Sequence, residues 1–215
     1  MPSNIHGNTV SYLTKLIRKE LDRVAKKDPS LQEHEDNLMS SGRARILTGR
    51  GSLYPYMSPD HQFWYERGLY YDVSFIVEVA YAAKRADLKS KLKKYINWVP
   101  SVCAVLTIDI KYLSPHQRRE GRKHSATATL WVVVEEEGYS RFTTIMEEKL
   151  VICQNGVARP GELQISFKYF MPLEIRTHGP AEEIALIFRC EDLAHIIERA
   201  DHRQRPLEIR KRDRL

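Results

Sequence analysis

The stretch SPDHQFWYERGLYYDVSFIVEVAYAAKRADLKSKLKKYI, residues 58–96, decides how the chain is read. Asp60 closes a short turn, Ser58-Pro59-Asp60, just ahead of an aromatic run. Glu78 interrupts residues 73–80, the most apolar strand-like run of the protein. A lysine-rich helix then begins near Lys84 and carries Lys89, Lys91, Lys93 and Lys94. Burying a carboxylate without a partner is costly, so Glu78 needs a reason. Two carboxylates brought together from neighbouring strands have one: they can hold a divalent hard cation through oxygen ligands.

Side chains alternate along a strand, which sets Phe75, Val77 and Val79 on one face and Ser74, Ile76, Glu78 and Ala80 on the other. Glu78 falls near the strand's end, where ligands bind in open α/β sheets. The competing reading is a glutamate paired with a core Arg or Lys. Asp60, in a literal Pro-Asp at a strand start, tips the balance toward a site. The near-continuous Val, Phe and Ile of residues 73–81 suits a strand covered on both faces. A helix over about 84–97 follows, with Leu88, Leu92, Tyr95 and Val99 as its buried stripe. An apolar strand over 102–112 completes the sequence form of a βαβ crossover.

Outward from this centre, Asn8 can cap a helix over roughly 9–27, where Val10, Leu13, Leu16, Ile17, Leu21 and Val24 recur at helical spacing. The residues before it read as a loose tail. Glu20 lies on or beside the helix's apolar stripe. It is either a flanking glutamate whose stem snorkels to water or a helix-borne carboxylate aimed at the strands, the first being commoner. Lys27-Asp28-Pro29 breaks the helix, and a second helix is expected over 31–40, a first strand over 43–48 and another over 57–65. Beyond a basic loop at 114–126, strands are expected at 127–135, 143–153, 163–175 and 184–188, then a short helix at 191–200. Residues 1–202 are expected to form a single domain, with a core over about 9–112 and a β-rich extension over 113–202. Residues 203–215 read as a basic, flexible tail.

The 215 residues, 42% hydrophobic and 29% charged, are those of a globular protein long enough to bury a core. Lys and Arg total 34 against 28 Asp and Glu, a net +6 that favours an anionic partner such as nucleic acid. Cys103, Cys153 and Cys190 are isolated and lack metal spacing, which fits a reduced, intracellular protein, cytoplasmic or nuclear, without a zinc site. The N-terminal residues lack the pattern of a signal peptide, and no apolar run approaches membrane-spanning length, so no membrane partner is expected. Arg210-Lys211-Arg212 matches a nuclear address, a cluster that also arises by chance.

Pro59-Asp60, then Glu78 in a strand, then a basic helix resembles the PD-(D/E)XK, or restriction endonuclease-like, superfamily of nucleases. Within it, IVEVAYAAKRADLKSKLKKYI followed by VLTIDIKY is similar to the Uma-type endonuclease-like proteins and related uncharacterised fungal proteins. The resemblance covers residues 58–112, about a quarter of the chain. It implies an α/β fold, a restriction endonuclease-like mixed β-sheet core flanked by helices, here with an antiparallel β extension in the C-terminal half. It also implies Asp60 and Glu78 as ligands of Mg (or Mn). The lysine expected two residues after the glutamate is Ala80 in this chain. Superfamily members can supply that lysine from the following helix. Lys84, four residues before Leu88, is then the first choice as catalytic lysine and Lys91 the second; with neither in reach, the fold is catalytically dead. The helix that holds Glu20 here can lend another carboxylate in the superfamily, and Asp109 is a candidate partner for Lys84.

Phosphodiester hydrolysis gathers negative charge on the phosphoryl oxygens, which is why carboxylates, a cation and an ammonium are the groups wanted. Lys84, Arg85, Lys91 and Lys94 on the helix, and Arg118, Arg119, Arg122 and Lys123 in the basic loop, are candidates for touching a phosphate backbone; a solvated helix face or loop explains them equally. The expected function is metal-dependent hydrolysis of phosphodiester bonds in DNA or RNA. One rival is a catalytically inactive nuclease-fold protein that binds nucleic acid or a protein partner. Another is an interaction protein whose strands at 127–175 form a homodimer or partner surface.

Overall fold

The computed structural model describes residues 4–46, 56–68, 70–81, 85–135, 143–176 and 184–212. Helix α1 (Asn4–Lys27) buries Ile5, Leu13, Ile17, Leu21 and Val24 along one face and ends on Lys26 and Lys27, whose charge suits the carbonyl end of the helix. It starts earlier than expected. Ile5 and Thr9 carry the stripe a further turn toward the N-terminus, and a buried polar Thr9 hides that continuation from a count of apolar residues. A 3-10 turn at Pro29–Leu31, capped by the Asp28 carboxylate, leads into the short α2 (Gln32–Asp36).

Strand β1 is Leu38–Ser41, not 43–48; Ile46 makes only an isolated bridge to Met57. So short an edge strand is held by its neighbour, with Leu38 opposite Tyr65 and Ser41 opposite Gln62 of β2 (His61–Arg67). Gly68, at φ +59, makes the turn into β3 (Tyr70–Tyr81), a backbone setting that glycine adopts without strain. Phe63 pairs with Phe75 and Trp64 with Val73, so Ser74 is an extra residue in the ladder. The bulge breaks the expected alternation: the Ser74 hydroxyl donates to the Phe170 carbonyl at 2.7 Å, among the residues that pack on Phe75, instead of sharing a face with Glu78.

The crossover is present as expected. Helix α3 (Arg85–Trp98) carries the chain to β4 (Ala104–Ile110), which runs parallel to β3 with Glu78 beside Thr107 and Ala80 beside Asp109. Strands β5 (Ala126–Glu135), β6 (Thr143–Gln154) and β7 (Val157–Ala158) add antiparallel to the same sheet, whose order follows the chain from β1 to β7. The result is a mixed seven-stranded sheet. Between β4 and β5, Ser114 and Gln117 form a capping box that makes residues 115–119 a short helix, α4 (Pro115–Arg119). A separate two-stranded antiparallel sheet joins β8 (Glu162–Ser166) to β9 (Ala185–Arg189).

The strand expected at 163–175 is cut short at Ser166. Phe167 and Phe170 are both fully buried, and their spacing of three puts them on one side of a 3-10 turn, with α5 (Leu173–Arg176) after it. Phe170 stacks on Phe75 with ring centres 4.3 Å apart and meets Phe63 edge-on at 5.3 Å. Phe170→Ala should therefore cost roughly 3–5 kcal/mol, read as a lower urea midpoint at unchanged slope, whereas Phe170→Leu should lose far less. The last helix, α6 (Cys190–Arg212), packs on α1 and continues well past residue 200. The segment expected to be a flexible tail is helical as far as Arg212, because Leu207-Glu208-Ile209-Arg210-Lys211-Arg212 are good or fair helix formers despite their charge. No helix among the described residues is long and apolar enough to cross a membrane.

The sheet has two covered faces. Phe75, Val77, Val79, Leu106 and Ile108 pack toward α1, while Ile76 and Val105 pack with Leu92, Tyr95 and Val99 on the α3 side. Glu78 belongs to this second face and Asp60 to the strand end between the two.

Candidate active site

The register of the β2–β3 hairpin builds the centre. His61 faces Val77, so Asp60, one residue earlier, comes level with Glu78. Asp60 Oδ2 accepts the Val79 backbone N–H at 2.9 Å, which ties the turn to the central strand. The same oxygen lies 2.9 Å from His6 Nε2 on the first turn of α1. An ionised carboxylate only accepts, so that nitrogen carries the proton. Burial by itself would raise the Asp60 carboxyl; the hydrogen bonds from His6 and the Val79 amide outweigh it and hold Asp60 below the usual carboxylate range.

Glu78 is 3% exposed. Tyr95 donates its hydroxyl to Oε1 at 2.6 Å, and the Lys91 ammonium lies 2.6 Å from Oε1 and 2.8 Å from Oε2. Lys91 and Tyr95 are four residues apart on α3, hence on one face of the helix, directly over the strand. Burial pushes the Glu78 carboxyl up to about 7, and the nearby Asp60 charge adds to the push, although Lys91 and Tyr95 favour the ionised form. Burial, and then the Glu78 carboxylate beside it, raises the Tyr95 hydroxyl in turn. Two neighbouring carboxyls thus have their proton affinities driven apart, Asp60 ionised and Glu78 poised near neutrality, a pattern found where acid–base or metal chemistry is done.

Among the described residues, Lys91, the second choice from the sequence, is the lysine that reaches Glu78. Its side chain is 37% exposed, so the ammonium joins the buried carboxylate to solvent. Lys84, the first choice, lies outside the described residues. Arg85 opens α3. Glu20 is not gathered into the centre: it forms an ion pair with Arg23 one turn along α1, at 2.7 Å, as a flanking glutamate does. Asp109 sits beside Ala80 and lines a small cleft with Lys89, Thr107 and Lys149 on the α3 side of the sheet.

The basic loop is corrected in part. Arg118 has a buried side chain 3.7 Å from Asp201 of α6, which also lies 3.3 Å from His124, and Lys123 reaches Glu198 of the same helix. The buried Arg118 therefore faces α6 and not solvent, whereas Lys123 pairs with α6 from an exposed position. Arg122 pairs with Glu120, and Arg119 remains exposed. On α3, Lys94 lies over the Trp98 ring at 5.7 Å.

Two residues of the centre do not stand out in the sequence. His6 falls in the segment that reads as a loose tail. Tyr95 reads as an apolar member of the buried stripe of α3, although a buried tyrosine hydroxyl needs a partner and Glu78 is the buried acceptor nearest to hand in the pattern. Among the described residues, no group of three or more His, Cys, Asp and Glu side chains is placed to hold a metal ion; the hard oxygen donors of the centre are the carboxylates of Asp60 and Glu78. Compared with known proteins, the chain matches no family model, no curated protein and no solved structure.

Proposed function

We propose that this protein hydrolyses phosphodiester bonds of nucleic acid in a metal-dependent reaction, with Asp60 and Glu78 holding magnesium or manganese and Lys91 as the catalytic ammonium. One observation carries the reading: a buried carboxylate, Glu78, and a part-buried one, Asp60, stand level at the end of the β2–β3 hairpin, with a lysine of the crossover helix laid over Glu78. A restriction endonuclease-like fold is part of the proposal. It is supported by a mixed sheet covered by α1 on one face and α3 on the other, with the paired carboxylates at a strand end.

The donor set fits the cation. Magnesium takes one or two carboxylates and completes its shell from water and substrate phosphate. Asp60 and Glu78 would hold the cation, and Glu78, raised by burial and by the Asp60 charge, would bind it in its ionised form. The cation, when bound, supplies Lewis-acid polarisation of the phosphate and makes water a better nucleophile. The chain's own residues do the rest. His6 and the Val79 amide fix the Asp60 carboxylate. Tyr95 fixes one oxygen of Glu78, and Lys91 places a mobile positive charge where phosphoryl oxygens gain negative charge.

A second reading, an inactive nuclease-fold scaffold that binds nucleic acid or a protein, is favoured by Ala80 at the motif-lysine position and by the engagement of both Glu78 oxygens with Lys91. Calorimetry with magnesium and manganese, on the wild type and Asp60→Asn, separates the two when run beside cleavage assays on labelled DNA and RNA. Cation binding and cleavage that vanish together in Asp60→Asn support the nuclease. A wild type that binds neither cation, even with nucleic acid present, overturns it in favour of the scaffold.

A further inference from the structure

On the α1 side of Asp60 a groove of about 690 Å³ opens between α1 and the chain that follows β1. Lys15, Arg18 and Lys19 project along its helical wall, at the three- and four-residue spacing that aligns side chains on one face. Arg43 stands on the other wall and adopts a left-handed backbone, φ 55, a conformation that costs energy for any residue but glycine and is found where the surroundings enforce it. Arg18 is braced by the Leu38 carbonyl and by Glu35, whereas Lys15, Lys19 and Arg43 form no ion pair among the described residues. Among the described residues, Asp22 is the one acidic side chain on the wall away from the centre.

The groove ends at Asp60 and His61. His61 is 9% exposed, and its Nε2 is buried with no hydrogen-bond partner among the described residues. The His61 ring thus closes the inner end of the groove, next to Asp60.

We infer that this groove holds one strand of nucleic acid, its phosphates following Lys15, Lys19 and Arg43 toward Asp60. The substrate class rests on the nuclease reading above; the surface, the strandedness and the direction of approach are new. Charge complementarity selects a polyanion, because among the described residues four cations face one acid along the walls before Asp60. Size favours a single strand: a groove of drug-sized volume takes in one extended backbone, whereas a duplex meets it only along its rim. Among the described residues no aromatic side chain but the His61 ring lines it, so these residues grip the backbone and not the bases. It lies on the opposite face of the sheet from the α3 lysines, two of which, Lys89 and Lys94, sit over tryptophan rings.

The test is fluorescence anisotropy without added metal, with short single-stranded DNA and RNA oligonucleotides of one sequence and the matching DNA duplex, over a salt series. The variant Lys15→Glu/Lys19→Glu alters two exposed positions of α1 and is checked for native folding by circular dichroism. Lys93→Glu, exposed on α3, is the charge control. The double variant should lose at least about tenfold in affinity at low salt, and its log–log salt slope should shrink by about 1.4, roughly 0.7 for each phosphate no longer neutralised. Lys93→Glu should change affinity less than about twofold. A wild type that binds neither single strand, a duplex bound as tightly as a strand, or a double variant that binds like the wild type would each overturn the groove. Failure of the nuclease reading looks different: the strand is bound and released by salt as described, yet magnesium and manganese produce no cleavage. Cleavage that needs Glu78 but ignores Lys15 and Lys19 is the reverse case and removes the groove alone.

Discussion

Lys91→Ala should lower the turnover of metal-dependent cleavage by roughly 10²–10³-fold, the usual cost of removing one preorganised positive or hydrogen-bonding group from a phosphoryl or acyl transition state. The effect should fall on kcat, with KM changed far less, because an ammonium aimed at charge that develops during reaction adds little to binding the ground state. The geometry makes the prediction specific. Lys91 lies within 2.8 Å of both Glu78 oxygens, whereas Lys89, two residues earlier on α3, lies over the Trp131 ring. Lys89→Ala should therefore keep most of the turnover. Kinetics on one labelled oligonucleotide with the two variants and Lys84→Ala settle the assignment. Full loss in Lys84→Ala with activity kept in Lys91→Ala would move the catalytic lysine to the start of the helix. A stability change accompanies the first variant, since Glu78 loses the charge that favours its ionised form. That change is limited because a buried carboxyl can retain its proton instead.

The contrast between Lys84 and Lys91 shows what is legible in the chain and what is not. Glu78 stands out because a charged residue inside an apolar run is rare unless something meets it, and the βαβ unit follows from runs long enough for their periodicity to speak. The partner on the helix is less legible. Helical spacing places Lys91 and Tyr95 on one face, but which face meets Glu78 depends on how α3 crosses the sheet. Apart from the C-terminal helix, the misplaced elements share a cause: each is held by something distant in sequence. Strand β1 exists because β2 lies alongside it, and the Ser74 bulge depends on the Phe170 carbonyl, 96 residues away. Phe167 and Phe170 form a turn because one cluster with Phe63 and Phe75 receives them both. His6 enters the centre only because α1 reaches back to Asn4. Local pattern shows which residues want burial; it does not show which neighbour buries them.

Stability measured against pH in the presence of a chelator should carry the signature of Glu78. The folded protein holds this carboxyl at about 7 against an ordinary value of 4.5, so the folded state binds a proton where the unfolded chain has already released it. The contribution is complete below 4.5 and is lost as pH rises through about 7. At about 1.4 kcal/mol per unit the loss approaches roughly 3 kcal/mol. His61 works in the opposite sense. Burial first, and then the Arg18 charge, lower it to about 4 from 6.5, so its contribution is present above 6.5 and lost as pH falls through about 4. The two slopes oppose each other over part of the acid range, and the wild-type profile alone is ambiguous. The difference between wild type and Glu78→Gln removes the His61 part. Glutamine keeps an acceptor for Tyr95 and carries no charge, so urea midpoints should show this variant gaining on the wild type as pH rises from 5 to 8.5. Magnesium or manganese should then close the gap at the alkaline end by stabilising the wild type alone, since only it offers both carboxylates. A difference curve that stays flat would mean that Lys91 and Tyr95 fully offset the burial of an ionised Glu78, and Glu78 with Lys91 would then be a structural ion pair with no strain for a cation to relieve.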